Sequence, residues 1–324
     1  MAVNPFPLLR LLADGELHSG SGLAKSLKLS RGAVSRRVSR IEPLGIHVLG
    51  IRGQGYRLSR PVDLLDAGAL QARAARLSPA LHLEVVDECD STSTLLAERA
   101  SRGAPHGAAV ACEHQTAGRG RRGNPWIAAV GGSLAFSLLW RYAQGVAGLA
   151  GFSLAVAVML ARALEQQGVP GVQLKWPNDI VCGGKKLGGI LVEISGDRLG
   201  PSTVIVGIGL NTSLDARVRS RIDQPITDVA SCAARPPSRT QLLEAMLAAL
   251  ARGCEQFGRE GFAAFRDEWT RRHAWQGRRV TLTLAGRGVV EGEALGIADD
   301  GSLMLRSRHG VERFHAGELS LRPA

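Results

Sequence analysis

No stretch of this chain is both long and apolar enough to cross a membrane. The nearest approach, Val146 to Ala161, is 16 residues rich in Ala and Gly, against the roughly 20 apolar residues a spanning helix needs. A buried core helix is expected there instead. The first residues also lack the layout of a secretory signal, so a cytoplasmic location with no membrane partner is expected. Cysteine is thinly spread: Cys89, Cys112, Cys182, Cys232 and Cys254 are odd in number and form no CxxC or His/Cys cluster. That spacing supports neither a disulfide framework nor a metal site, and leaves reduced thiols. Acidic residues are outnumbered, 29 Asp and Glu facing 40 Lys and Arg for a net charge of +11. Such an excess favours anionic partners: nucleic acid, nucleotide or an acidic protein.

The excess is concentrated at one end. Residues 1–60 hold ten Lys and Arg against Asp14, Glu16 and Glu42, a surplus of seven. Leu8, Leu9, Leu11 and Leu12 predict a first helix ending near Asp14-Gly15. Ser21 starts a short second one through Leu23, Ala24 and Leu27, and Ser30 is placed to cap a third, from Arg31 to about Glu42. On the third helix Val34, Val38 and Ile41 recur at i, i+4 and i+7 and face inward. Two strand-like runs then flank Arg52-Gly53-Gln54-Gly55, whose glycines permit the positive φ of a tight hairpin. This is the order of a winged helix-turn-helix, in which the third helix enters the major groove and the wing meets phosphate. The candidate DNA contacts are Ser30, Arg31, Ser35, Arg36, Arg37, Ser39 and Arg40, with Arg52 on the wing. A solvated basic face or a protein-docking module remains an alternative from these residues alone.

Pro61 and the helical stretch "DLLDAGALQARAARL" lead into a second segment. Strand-like runs are expected at Leu83–Val86, Ala108–Ala111, Leu134–Leu139, Val172–Lys175, Gly189–Ile194 and Val204–Gly209. Helices are expected at Thr94–Ser101, Val146–Gln167 and Arg239 to about Arg272. This is an α+β or α/β core with a helix-covered sheet. The last 50 residues carry short strands with a turn at Asp299-Asp300-Gly301, as in a small β-barrel that closes its own edges.

The segment "TAGRGRRGNPW" contains Gly118-Arg119-Gly120-Arg121-Arg122-Gly123, formally G-x-G-x-x-G. A dinucleotide turn needs a strand directly before it, a helix directly after and an acid about 20 residues on. Here "CEHQTA" separates the strand from the glycines, Asn124-Pro125-Trp126 follows, and no carboxylate lies near 140–146. The loop reads better as an anion binder, its glycines giving mobility and its arginines forked donors; a solvated basic loop is the plain alternative. A second stretch, "LKWPNDIVCGGKKLGGILVEI", turns at a proline and again at Gly183-Gly184, bringing Asp179 near the amines of Lys185-Lys186. A third, "DECDSTSTLLAE", puts Ser91, Thr92 and Ser93 before a helix, to cap it or to bind a polar ligand. In a fourth, "VGIGLNTS", glycines precede Asn211 at a strand end.

Together, in this order and spacing, the four pieces resemble the bacterial biotin–protein ligase family, in the bifunctional type that is also the biotin operon repressor. The resemblance covers the whole chain. It implies an α+β multidomain protein: a winged helix-turn-helix at 1–62, a mixed-sheet α/β ligase domain of class II synthetase-like fold at 63–272, and an SH3-like β-barrel at 273–324. Its members make biotinyl-5′-AMP from biotin and ATP with Mg²⁺ and pass biotin to a lysine of a biotin carboxyl carrier protein. With the adenylate bound they repress biotin genes on operator DNA as homodimers. By position, Ser91, Thr92, Ser93 and Gln115 match the biotin-contacting set, Ser93 standing where the family has Asn. Gly118, Arg119, Gly120 and Arg121 match the biotin and adenylate loop, with Trp126 closing it. Lys186 matches the lysine at the activated carboxyl, Asp179 the group that orients or deprotonates the acceptor amine, and Asn211 a wall of the nucleotide pocket. Arg121, Lys186 and Asp179 are thus the catalytic candidates. Pro225 stands where some members carry an adenine-stacking tryptophan.

Two other readings compete with this one. A lipoate–protein ligase shares the fold and adenylate chemistry, but its R-R-x-x-G-G-G-x-V-[FW]-H-D motif is missing here. A transcription factor that only senses a ligand would have no use for Arg121, Asp179 and Lys186 together.

Overall fold

The computed structural model describes residues 4–284, 288–315 and 319–323. Three helices, α1 (Phe6–Leu12), α2 (Gly20–Ser26) and α3 (Arg31–Ile41), precede a hairpin of β1 (Val48–Ile51) and β2 (Gly55–Leu58). Ser30 caps α3 as expected, its hydroxyl accepting from the Ala33 amide at 3.2 Å. The cap of α2 is Ser19, not Ser21: Ser19 Oγ accepts from the Gly22 amide. Leu8, Leu9, Leu12, Val34 and Ile41 close a small apolar core, with Val38 half-buried beside it.

After α4 (Ala67–Ala74) comes a seven-stranded sheet built from β3 (His82–Cys89), β4 (Ala108–Gln115), β5 (Ser133–Tyr142), β6 (Val172–Lys175), β7 (Asp179–Cys182), β8 (Lys185–Gly196) and β9 (Ser202–Asn211). Its order is β3-β4-β5-β9-β8-β7-β6. Within it only β3 and β4 run parallel; the other pairs are antiparallel. Helix α5 (Thr92–Ser101) forms the β3–α5–β4 crossover. Alternation along the strands splits the sheet into two faces. Leu134, Phe136, Leu138, Val204, Val206, Ile208 and Leu210 join the main core with α6 (Phe152–Gln166), α9 (Arg239–Glu260) and α10 (Ala263–Arg272). Ala108, Val110, Leu139 and Ile205 face the other way, onto Leu96 of α5.

Glycines divide two helices that the sequence pattern joins. Residues 146–167 form a 3₁₀ turn and then α6, parted at Gly151 (φ 75°), and 239–272 break at Gly261 (φ 66°) into α9 and α10. Both glycines hold a left-handed backbone that the apolar pattern around them does not signal. Two short helices, α7 (Ala216–Arg219) and α8 (Val229–Cys232), and strand β7 go beyond the sequence expectation; β7 makes the Pro177 and Gly183-Gly184 turns two successive hairpins.

The last segment is antiparallel throughout: β10 (Arg279–Leu284), β11 (Gly288–Ile297), β12 (Leu303–Ser307), β13 (Gly310–Phe314) and β14 (Leu319–Pro323), in the order β13-β12-β11-β10-β14. Among the described residues its edge strands β13 and β14 do not pair, so the expected closed barrel is an open five-stranded sheet. It buries its apolar side without closure, because Val280, Leu282, Ala294, Ile297, Leu303 and Leu305 join the core of the central sheet.

The linker into the central sheet is fixed by a buried ion pair. Arg239, first residue of α9, is 1% exposed and its Nη1 meets Glu113 Oε2 of β4 at 2.6 Å. The same guanidinium donates to the carbonyls of Asp63 (2.7 Å) and Ser133 (2.9 Å), while Glu113 Oε1 accepts from the Leu65 amide (2.6 Å). Removing one member leaves the other charge buried and uncompensated. Arg239→Met is therefore expected to lower unfolding stability by about 3–5 kcal/mol, measured by urea denaturation; a loss under about 1 kcal/mol would show that the pair is dispensable.

His273, where α10 ends, lies 4.8 Å from the Trp269 ring, and neither of its nitrogens completes a hydrogen bond among the described residues, although Gln276 approaches it. Burial pulls it down to about 4 from an ordinary value of 6.5. Between those values the unfolded chain binds a proton that the native one refuses, so stability is full above pH 6.5 and falls as pH drops toward 4. The shift corresponds to about 3 kcal/mol. His273→Phe should flatten the fall of Tm between pH 6.5 and 4; an unchanged slope would assign it to other groups.

Candidate active site

The site is built on the α5 face of the sheet. Along β9, residues 205, 207, 209 and 211 point to this face, and two of them are glycines. A Cβ at Gly207 would stand 2.3 Å from Ser93 Oγ, and one at Gly209 2.3 Å from the indole of Trp126. The missing side chains thus let Ser93 and Trp126 lie against the strand backbone. Asn211 follows on the same face, 2% exposed, its Nδ2 donating to the Thr227 carbonyl at 3.0 Å. Asn211 Oδ1, Thr212 Oγ1 and Trp126 Nε1 are buried without a hydrogen-bond partner among the described residues. Such atoms are costly to leave unpaired, and those of Asn211 and Trp126 belong to the residues of this face.

The three hydroxyls, expected before the helix, are all buried, and Thr92 and Ser93 form the first residues of α5 with only Ser91 preceding it. Ser91 is the N-cap residue, yet its side chain makes no cap bond. That duty falls to Gln115, whose Oε1 accepts from the Thr92 amide (2.8 Å) and hydroxyl (3.2 Å). The Ser137 hydroxyl donates to Thr92 Oγ1 at 2.8 Å, so the 3.0 Å contact of Ser93 with Ser137 has Ser93 as donor. One polar chain, Ser93–Ser137–Thr92–Gln115, therefore lines the face and leaves the Ser91 hydroxyl outside helix capping. No motif marks Ser137; the usable signal is a hydroxyl set between Phe136 and Leu138 in a largely apolar strand.

Strand β4 runs on to Gln115, so only two residues part it from the glycine loop, fewer than the sequence implied. The dinucleotide reading still fails, because a single 3₁₀ turn, Arg121–Gly123, follows in place of a helix. Backbone bonds shape the loop: the Gly120 amide donates to the Asn124 carbonyl at 2.7 Å and the Trp126 amide to the Gly118 carbonyl at 2.8 Å. Gly118 has no room for a side chain, since a Cβ there would stand 2.6 Å from the Trp126 carbonyl. The arginines diverge. Arg119 is exposed and meets Glu193 of β8 at 3.0 Å; Arg122 is exposed; Arg121 is half-buried, its Nη1 3.4 Å from Asn178 Oδ1. Burial, and then the neighbouring charge of Arg122, lower the Arg121 pKa, while Asp179 opposes the shift. An anion placed here would relieve both costs.

Asp179 is clasped by two amines, Lys186 Nζ at 2.8 Å and Lys175 Nζ at 3.7 Å. The second amine is Lys175 rather than the expected Lys185, which is exposed. A register shift between Ile180 and Val181 explains this: Ile180 pairs with Gly188, but Val181 pairs with Lys186. The extra residue, Leu187, goes into the core, and the bulge turns Lys186 onto the face of Gly189 and Trp126. Lys186 Nζ lies 6.0 Å from the Trp126 ring centroid. Pro225 contributes its carbonyl, which accepts from the Lys186 amide at 2.9 Å. Lys175, Asn178 and Glu193 lie in the KWPND and GILVEI stretches quoted from the sequence but have no role assigned there, and Ser137 and Thr227 do not stand out, because these roles depend on strand pairing. The DNA-contact candidates lie apart from this pocket: Ser30, Arg31, Ser35, Arg36, Ser39, Arg40 and Arg52 are exposed and Arg37 half-buried.

Gly209→Ala should push the Trp126 indole off the sheet. Acrylamide quenching of tryptophan fluorescence should rise, and Trp126→Phe in the same background should abolish the rise. Unchanged quenching would mean that the indole accommodates the methyl group in place.

Comparisons with known proteins place the chain in a family. The Biotin/lipoate A/B protein ligase family matches residues 85–211, the Biotin protein ligase C terminal domain 277–322 and an HTH domain 7–57. The chain is 32% identical to the bifunctional ligase/repressor BirA of Salmonella typhimurium over 320 residues, covering 99% of this chain and 98% of that protein. It is also 32% identical to the Escherichia coli protein of the same name, over 324 residues and the same shares. The solved biotin protein ligase from Aquifex aeolicus, in complex with biotin and ATP, superposes with a TM-score of 0.63 at 27% identity, covering 75% of this chain and 99% of that one. The chain belongs to the biotin protein ligase family, in its bifunctional ligase/repressor form.

Proposed function

We propose that this protein activates biotin with ATP to biotinyl-5′-AMP and transfers biotin to one lysine of a biotin carboxyl carrier protein. With the adenylate bound it acts as a homodimeric repressor on operator DNA of biotin genes. The observation that carries the reading is the gathering of Arg121, Lys186 and Lys175 around Asp179, beside Trp126 Nε1 and Asn211 Oδ1, which have no hydrogen-bond partner among the described residues. We take the division at 1–62, 63–272 and 273–324 as the functional one, and the cytoplasm as the place of action.

The first step joins two anions, the biotin carboxylate and the α-phosphate of ATP, with pyrophosphate leaving. Arg121 and Lys186 offset their repulsion and stabilise the charge that grows as they meet. Ser91, Thr92, Ser93 and Gln115 hold biotin; Gly118, Arg119 and Gly120 shape the loop over the adenylate; Trp126 and Asn211 wall the pocket. In the second step the acceptor amine attacks the acyl carbon, AMP leaves, and Asp179 orients the amine or takes its proton. Mg²⁺ enters with the nucleotide substrate, whose phosphates are ordinary ligands of that ion.

On the head, the exposed arginines of α3 and Arg52 supply phosphate and base contacts, and a two-fold dimer matches a two-fold operator. Incubation with ATP, Mg²⁺, biotin and a carrier domain should place biotin on a single lysine, read by mass spectrometry. Lys186→Met should lower that rate by roughly 100-fold or more. Arg36→Ala with Arg40→Ala should abolish the gel shift of operator DNA while leaving ligation intact. Absence of carrier labelling by the intact protein would overturn the ligase reading, and an operator never shifted would overturn the repressor reading.

A further inference from the structure

The amines that clasp Asp179 each rest on an indole. Lys186 Nζ lies 6.0 Å from the Trp126 ring centroid, and Lys175 Nζ lies 5.1 Å from that of Trp275. Trp126 belongs to the loop over the pocket, but Trp275 comes from the far end of the chain and has no part in the machinery described above. Backbone bonds mount it on both sides. The Ala274 amide donates to the Leu174 carbonyl of β6 at 2.9 Å, and the Gly277 amide to the Ala294 carbonyl of β11 at 2.8 Å. His273 bridges Leu174 in parallel, so residues 273–275 run beside the end of β6 that carries Lys175. Behind the Trp275 ring lies His273 at 6.5 Å, and behind that Trp269 at a further 4.8 Å. All three rings are buried.

We propose that Trp275 is a positioning residue for biotin transfer: its ring seats the Lys175 ammonium against Asp179. The segment leading into the C-terminal sheet thereby helps to build the site of the acceptor amine. The assignment to transfer rests on the ligase reading above; the seating of Lys175 does not. A lysine ammonium on its four-carbon stem is a mobile charge, and holding it at one carboxylate oxygen costs rotamer freedom. An indole face offsets that cost, because its quadrupole attracts the cation, more strongly where water is partly excluded. Here the side chains of Lys175 and Asp179 are only 23% and 12% exposed.

The separate carboxylate oxygens give the two amines separate duties. Lys186 Nζ meets Asp179 Oδ1 at 2.8 Å, and Lys175 Nζ meets Oδ2 at 3.7 Å. In the ligase reading Lys186 serves the activated carboxyl, and as it turns there Oδ1 gives up its cation. Lys175, held on the Trp275 face, keeps Oδ2 in place, so Oδ1 stays aimed at the incoming amine. The acceptor nitrogen then bonds to the acyl carbon. The bond from that carbon to the phosphate oxygen breaks, its electron pair leaves on AMP, and the proton shed by the amine passes to Oδ1. Without its seat Lys175 lets the carboxylate rotate when the amine needs it aligned, and misalignment at a reacting site is costly in rate. Adenylate formation, which draws on Arg121 and Lys186, depends less on Lys175.

The test uses the full-length protein and separates the steps. Pyrophosphate release without carrier reports adenylate formation, and single-turnover labelling of a carrier domain from preformed biotinyl-5′-AMP reports transfer. Trp275→Leu should slow transfer roughly 3- to 30-fold more than it slows adenylate formation, and Trp275→Tyr should recover most of that loss. With Lys175→Met already present, adding Trp275→Leu should change transfer by less than about twofold, since the amine to be seated is gone. Equal slowing of both steps, Trp275→Tyr as slow as Trp275→Leu, or the full loss repeated beside Lys175→Met would each overturn the positioning role. The seating is read apart from activity. The chain has five lysines, Lys25, Lys28, Lys175, Lys185 and Lys186, so brief acetylation and peptide mass mapping resolve each one. Trp275→Leu should raise acetylation of Lys175 about threefold or more relative to the exposed Lys25 and Lys28; an unchanged ratio would overturn the seating. Unaltered protein that labels no carrier would instead count against the proposed function, and the acetylation ratio would still decide the seating.

Discussion

The Arg239–Glu113 pair governs how the parts of this protein meet. Taking both charges out of water costs several kcal/mol per ion, recovered only when geometry and accompanying hydrogen bonds are good. Here they are nearly complete: Arg239 donates to Glu113, Asp63 and Ser133, its own amide reaches Asp63 Oδ2 at 2.7 Å, and Glu113 also receives the Leu65 amide. An apolar pair of equal volume would fill the same space without fixing which backbone groups meet. The ion pair thereby sets the register of the linker against β4, β5 and the start of α9. Two residues beyond Glu113 stands Gln115, and four beyond Ser133 stands Ser137, both in the polar chain of the pocket. Their placement is inherited from a contact outside the pocket.

On the pocket side the controlling feature is thinness. Gly207 and Gly209 remove side chains where Ser93 and Trp126 lie, so the candidate face is made of backbone, hydroxyls and one indole edge. Charge is then added at the rim. Three cations surround a single carboxylate, and Arg121 is the most burdened because it is half-buried next to Arg122. The site is positive before any ligand arrives, which suits a reaction that brings two anions together.

Much of this is legible in the sequence, and the reasons for the exceptions are physical. The order of elements follows from apolar spacing and turn residues, and the GRGRRG and KWPND stretches locate the pocket because they are local. What stays hidden depends on distant pairing. Nothing near Lys186 announces the bulge at Leu187 that turns its side chain, so in the sequence Lys185 looks equally well placed. Lys175 reaches Asp179 only because β6 and β7 pair. Gly151 and Gly261 sit in helix-like surroundings, and their positive φ is a property of the packed backbone. Arg239 and Glu113, 126 residues apart, carry no motif at all. The open C-terminal sheet is hidden for a similar reason: strand patterns show which residues are apolar, not whether another domain covers them.

The same long-range logic ties the basic head to the pocket. Val130 belongs to the apolar core of the head, yet it lies four residues after Trp126 and three before Ser133. The glycines between are packed on both sides: a Cβ at Gly131 would stand 2.4 Å from Val62, and one at Gly132 2.5 Å from the Ser213 carbonyl. The Gly132 carbonyl also accepts from the amides of Thr212 and Ser213, next to Asn211. Arg10 and Arg60 add ion pairs from the head to Asp87 and Asp215. A displacement of Trp126 or Asn211 thus has little slack before it meets Val62 and Val130. In a protein whose relatives join ligase and repressor in one chain, this short, tightly packed stretch is where the apolar core of the head adjoins the residues that follow Trp126 and Asn211.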